Sequence, residues 1–238
     1  MKQFAILGLS WFGKDVLNEL LEFGADVMIV DKDRQVIDAY RDHPVTAIVM
    51  DILNEENLRK ALPQGLDGVV IDMGEKIEAS ILATSYCRKL GIPRIFVKAV
   101  TEGHAEILEM VGATKIVFPN REAAKRITPL LVSSGLLNYL PVSGNLVIAE
   151  LVIPERFFGF SLLEANLRKN NGINLISVKN GDEEYGLFSP EYRFRPGDVA
   201  LVSGLDESIE AFANGHGTAR RAGSLMKDLG RLFGRKKA

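Results

Sequence analysis

Between Leu7 and Lys14 the chain reads Gly8-Leu9-Ser10-Trp11-Phe12-Gly13. Glycines at the first and last positions of such a loop suit phosphate chemistry. The first takes the tight turn, the middle position must be small so that backbone can approach a phosphate, and the last lets a helix pack closely on a strand. A phosphate held there meets free N–H groups and the positive end of a helix. Here Ser10 stands at the middle position, where the fingerprint usually has glycine. Asp31 follows at the end of the next apolar run, where a carboxylate accepts hydrogen bonds from ribose hydroxyls. Together they predict a nucleotide held by its phosphate and its ribose. Trp11, at the mouth of the loop beside Phe12, stacks on the ligand, covers the cleft or packs at a subunit contact.

Further candidates follow apolar runs in the same way. Asp51 is placed either to meet an adenine or to lead into a helix. Asp72 is placed toward the same edge, where a like charge beside phosphate is unfavourable, so a structural role or a metal contact fits it equally. Lys98 is placed to offset phosphate charge. His104 opens a helix and reads as a cap or packing residue rather than a base. Cys87 lies within an apolar helical period and reads as a packed core thiol. No nucleophile elbow, zinc spacing or P-loop with its Gly-Lys-Ser/Thr end occurs, so no catalytic constellation is expected.

The elements that must position these residues alternate. Short apolar runs at Phe4–Leu7, Val27–Val30, Ala47–Met50, Gly68–Ile71, Ile95–Val97 and Lys115–Phe118 have the composition of strands buried on both faces of a parallel sheet. Helical periods lie between and after them, at roughly 13–24, 33–42, 54–62, 75–90, 101–111 and 120–134. The alternation predicts an α/β fold, a Rossmann-like doubly wound parallel sheet. Asp33 and Asn54 are expected helix caps, and Gly24, Gly91 and Gly112 expected helix stops.

The pattern changes near Gly135. Residues 136–144 read as a connector, Leu146–Ile153 as a strand, about 161–170 as one helix and Ile173–Val178 as a strand. A turn at Asn180-Gly181 leads into another extended piece. A tight turn at Arg195–Asp198 precedes a strand at Val199–Ser203 and a helix at Asp206–Ala213. This predicts a small α+β domain at 138–213 after a nucleotide-binding domain at 1–137, with a basic tail at 214–238. The chain has 238 residues, 47% hydrophobic and 25% charged, enough for real cores. The net charge is −2, yet the segment from Gly215 onward holds seven basic residues and one acid. A basic tail on an acidic body suggests a partner or surface for the tail and argues against nucleic-acid binding by the whole protein. Leu225, Met226, Leu229, Leu232 and Phe233 form one helical stripe there, which suits an anionic membrane surface. With one cysteine, no transmembrane-like run and a strand pattern beginning at Met1–Phe4, a cytoplasmic protein is expected.

Taken in order, Gly8–Gly13, Asp31, Asp51, Ala79-Ser80-Ile81-Leu82, Val97-Lys98-Ala99, His104 and the run Gly112–Pro119 resemble the RCK proteins. These are the cytoplasmic regulatory subunits of Trk and Ktr potassium transporters. Arg168, Gly172-Ile173-Asn174 and Arg195-Pro196-Gly197-Asp198 are similar to that family's C-terminal regulatory domain. The resemblance implies a ligand-sensing homo-oligomer, with paired Rossmann domains in an octameric ring under a membrane-embedded potassium-translocating subunit. It implies an adenine nucleotide (ATP and ADP, or NAD and NADH) in the crevice as the gating ligand, and no enzyme activity. It also implies cyclic di-AMP at the second domain, with Arg168 and Asn174 as contacts flanked by Ile173 and Leu175.

The sequence departs from the family in two places. Ser10 and Trp11 stand where the family commonly has glycine and a phosphate-reaching arginine, and Asn120 stands where it often has a cation-binding glutamate. Both changes suit a diverged partner subunit, or one that prefers ADP, AMP or a dinucleotide. Two other classes share the fold. An NAD-dependent oxidoreductase fits Asp31, which repels a 2′-phosphate, but lacks an acid or base for the nicotinamide, and residues 138–213 are small for a substrate domain. A free-standing nucleotide or second-messenger sensor also fits.

Overall fold

The computed structural model describes residues 2–186 and 188–215; the basic tail beyond Gly215, and the membrane contact expected of it, lie outside the described residues. The chain divides into two compact units, residues 1–120 and the part beginning at Arg121.

The first unit alternates strand and helix: β1 (Gln3–Leu7), α1 (Trp11–Glu22), β2 (Asp26–Asp31), α2 (Arg34–Asp38), β3 (Thr46–Val49), α3 (Glu55–Ala61), β4 (Gly68–Ile71), α4 (Ile77–Lys89), β5 (Ile95–Lys98), α5 (Glu102–Met110) and β6 (Lys115–Val117). All pairings are parallel, in the order β3-β2-β1-β4-β5-β6. That is the doubly wound arrangement expected from the alternation. Ala5 and Leu7 pack into one buried cluster and Ile6 into another, so β1 is covered on both faces. The consecutive apolar run is the sequence mark of that double burial. Strand order reverses between β1 and β4, whose ends align at Leu7 and Ile71, so the loop after β1 and the residues after β4 meet at the switch point.

The expected caps form: Asp33 accepts the Gln35 N–H and Asn54 the Asn57 N–H. The helix expected at 33–42 stops at Asp38. Pro44 disfavours the helical conformation at His43, and residues 39–44 are turns and bends.

The second unit opens with α6 (Pro119–Val132), whose first two residues belong to the first unit. An antiparallel sheet follows, built from β7 (Leu136–Ser143), β8 (Leu146–Val152), β9 (Ile173–Asn180) and β10 (Asp198–Leu205), in the order β7-β8-β10-β9. Three expectations are corrected here. Residues 136–143 are not a connector but an edge strand, whose Pro141 is tolerated because, among the described residues, one side of the strand pairs with no other. The compact units divide at 120, and Leu136 begins a strand of this sheet. The helix expected at 161–170 is two short helices, α7 (Leu162–Ala165) and α8 (Leu167–Asn171), broken at Asn166, whose φ is 40°. Finally, the segment 181–197 contains no strand among the described residues, only one isolated bridge between Ser161 and Arg193. The closing helix α9 (Asp206–Ala213) buries Ile209 and Phe212 in the core cluster that also holds Phe194, Leu151 and Val202.

Candidate functional site: a cleft at the switch point

The glycine loop is built as its residue types demand. Gly8 has φ +85°, and a Cβ there would lie 2.2 Å from the Asp72 carbonyl oxygen. A Cβ on Gly13 would lie 2.7 Å from the Gly8 carbonyl oxygen. Neither position admits a side chain without moving backbone, so the loop and the first turn of α1 sit tight on the ends of β1 and β4. Asp31 fixes the loop from the other side: its Oδ2 accepts the Leu9 N–H at 2.9 Å and its Oδ1 the Asp33 N–H at 2.9 Å.

Beside this loop lies a cleft of about 390 Å³, a size suited to a small molecule. Gly8, Ser10, Asp31, Asp51 and Asp72 all line it, with Val36, Met50 and Ile52 as apolar wall. Asp51 Oδ1 accepts the Leu53 N–H at 3.0 Å, so this residue is a helix-leading turn residue that also faces the cleft. Among the described residues, no group of three or more His, Cys, Asp or Glu side chains could hold a metal ion, so the metal contact considered for Asp72 has no ligand set.

Asp72 has a dense set of partners. Its carboxylate Oδ2 accepts the Gly13 N–H at 2.8 Å and the Ser10 hydroxyl. Its Oδ1 lies 3.2 Å from Lys98 Nζ and accepts the Gly74 N–H at 3.3 Å. Lys98 Nζ is also 3.5 Å from Ser10 Oγ. Lys98 thus faces a protein carboxylate, and it is not among the residues lining the cleft. Trp11 is 86% exposed and, like Phe12 and Gly13, is not on the cleft wall. Strand order was the signal that would have joined Asp72 to Gly13 and Ser10 in advance, because β4 is the neighbour of β1 across the switch point.

His104 is buried and fully engaged. Its Nδ1 accepts the Val100 N–H at 3.2 Å, so its Nε2 carries the proton and donates to Ser80 Oγ at 2.8 Å. Burial holds its pKa below 6.5. Burial also pushes the Cys87 thiol up to about 12, an inert core position.

In the second unit, Arg168 and Asn174 line a groove of about 300 Å³ with Asn166, Ile173, Leu175 and Phe188. Asp198, read from the sequence only as the end of a tight turn, proves to be a buried hydrogen-bonding centre. Fully buried, it accepts Asn180 Nδ2 at 2.7 Å, the Tyr192 hydroxyl at 2.9 Å and the Arg195 N–H at 2.8 Å. Burial pushes the Tyr192 phenol up, and its bond to Asp198 acts in the same direction.

Comparison with known proteins gives a consistent result. Residues 4–119 match the TrkA-N domain family and residues 146–215 the TrkA-C domain family. The Ktr system potassium uptake protein C of Bacillus subtilis (strain 168) is 36% identical over 182 residues, which span 76% of this chain and 82% of that protein. The Ktr system potassium uptake protein A of the same organism is 29% identical over 213 residues, 90% of this chain and 96% of that one. Among solved structures, the GsuK RCK domain superposes with a TM-score of 0.63 at 16% identity, covering 93% of this chain and 48% of that chain. That likeness concerns the fold alone. The chain belongs to the TrkA, or RCK, family, which holds the Ktr potassium uptake proteins.

Proposed function

We propose that this protein is the nucleotide-binding regulatory subunit of a potassium uptake system, working at the cytoplasmic face of the membrane on a membrane-embedded Trk- or Ktr-type translocating subunit. The observation that carries the reading is the cleft at the switch point, lined by the glycine loop, Asp31 and Asp51, in a chain whose relatives are named as potassium uptake proteins. Its ligand is of the adenine-nucleotide class; a solved GsuK channel of the same fold is bound to NAD. Asp31 reaches the ribose while keeping its bonds to Leu9 and Asp33, since each carboxylate oxygen accepts more than one donor. The chain is a regulator rather than an enzyme, and gates through a difference in ligand affinity between two states of a homo-oligomer. The groove at Arg168 and Asn174 suits a second, phosphate-bearing ligand such as cyclic di-AMP. Among the described residues no helix is long and apolar enough to cross a membrane.

Mass spectrometry of the small molecule released on denaturing purified protein tests this. An adenine nucleotide in near-stoichiometric amount, lost in Asp31→Ala, is the expected outcome. No ligand released, and none bound on titration, would overturn the reading.

A further inference from the structure

The positive end of α1 already holds an anion of the protein's own. Asp72 takes the Gly13 N–H and the Ser10 hydroxyl on one oxygen, and Lys98 and the Gly74 N–H on the other. Its side chain has no exposed surface and that of Lys98 only 20%, so solvent screens the pair poorly. A phosphate seated on the Gly13 N–H must displace one oxygen of a buried carboxylate from its donors, leaving Lys98 and the Gly74 N–H as its remaining partners, which is unfavourable. The cleft itself is electronegative: Asp31, Asp33, Asp51, Asp72 and Glu75 line it against Lys32 and Lys76. Every added phosphate brings more negative charge into that field.

We infer that Asp72 sets the ligand class of this cleft: an adenine nucleoside or nucleoside monophosphate, in preference to a nucleoside di- or triphosphate. The inference rests on the reading of the cleft as an adenine-nucleotide site. The ribose and base are held along Asp31 and the apolar wall of Val36, Met50 and Ile52, and Asp72 takes the place of a phosphate at the glycine loop.

Calorimetric titration of the full chain with adenosine, AMP, ADP and ATP, in chelator and at fixed ionic strength, tests it. Affinity is expected to fall by about tenfold or more from AMP to ATP, in line with a partly screened like-charge contact. In Asp72→Asn, which keeps the shape and removes the charge, ADP and ATP are expected to gain about tenfold relative to adenosine. Asp72→Ser is the second variant should the first not fold, with the same expectation. Tighter ATP than AMP binding in the unaltered protein would overturn the inference, as would variants that change all four affinities equally. Failure of adenosine and all three nucleotides to bind any form would instead sink the adenine reading of the cleft, and this inference with it.

Discussion

At the scale of single residues, His104 illustrates how a buried polar group constrains pH behaviour. Its neutral form satisfies Val100 and Ser80; a second ring proton would point at the Val100 N–H. Its folded pKa lies below 6.5, so as pH falls the unfolded chain takes the proton first. Stability is therefore complete above about pH 6.5 and declines below it until the folded imidazole titrates. Urea midpoints at pH 7.5 and 5.5 should show this loss, and His104→Gln should flatten the slope; an unchanged slope would assign it to other groups. His104 was legible as a cap or packing residue from its place at a helix start. The glycine loop and Asp31 were legible too, because local backbone geometry dictates glycine at Gly8 and Gly13. Asp72 was read with two alternatives, since its partners Ser10, Gly13 and Lys98 are distant in sequence and only the strand order brings them together.

At the scale of elements, the parallel strands announced themselves through consecutive β-branched and aliphatic residues, the composition of double burial. The second unit was less legible. Pro141 and Ser143-Gly144 have the composition of a loop, yet Leu136 and Tyr139 are inward positions of β7 and are buried. The Tyr139 hydroxyl donates to Asp206 Oδ1 at 2.8 Å. Asp198 organises the irregular segment between β9 and β10 by accepting bonds from three different residues. Asp198→Ala removes the buried acceptor that these partly exposed donors share and is expected to cost about 2 kcal/mol of stability. Asp198→Asn, which keeps a carbonyl acceptor, should cost less. Denaturant unfolding compares the two, and equal costs would mean that the carboxylate's charge rather than its acceptor geometry matters.

At the scale of the whole molecule, several large apolar side chains stand in solvent. Met110 at the end of α5 is 78% exposed and Leu131 in α6 is 79% exposed, with Ile127 and Val132 nearby in α6. No residue of α6 is buried, although its pattern is amphipathic. Such faces mark association surfaces. Light scattering is expected to give a mass that is a multiple of the chain's, and Met110→Asp or Leu131→Asp should lower it; a monomer in the unaltered protein would refute the expectation. Pro141 bears on how such copies can meet. It lies exposed in β7, an outer strand of its sheet, and proline has no N–H to offer a neighbouring chain. An unbroken backbone ladder cannot be continued outward past that residue, and edge-to-edge stacking of the kind that grows into fibres is interrupted there.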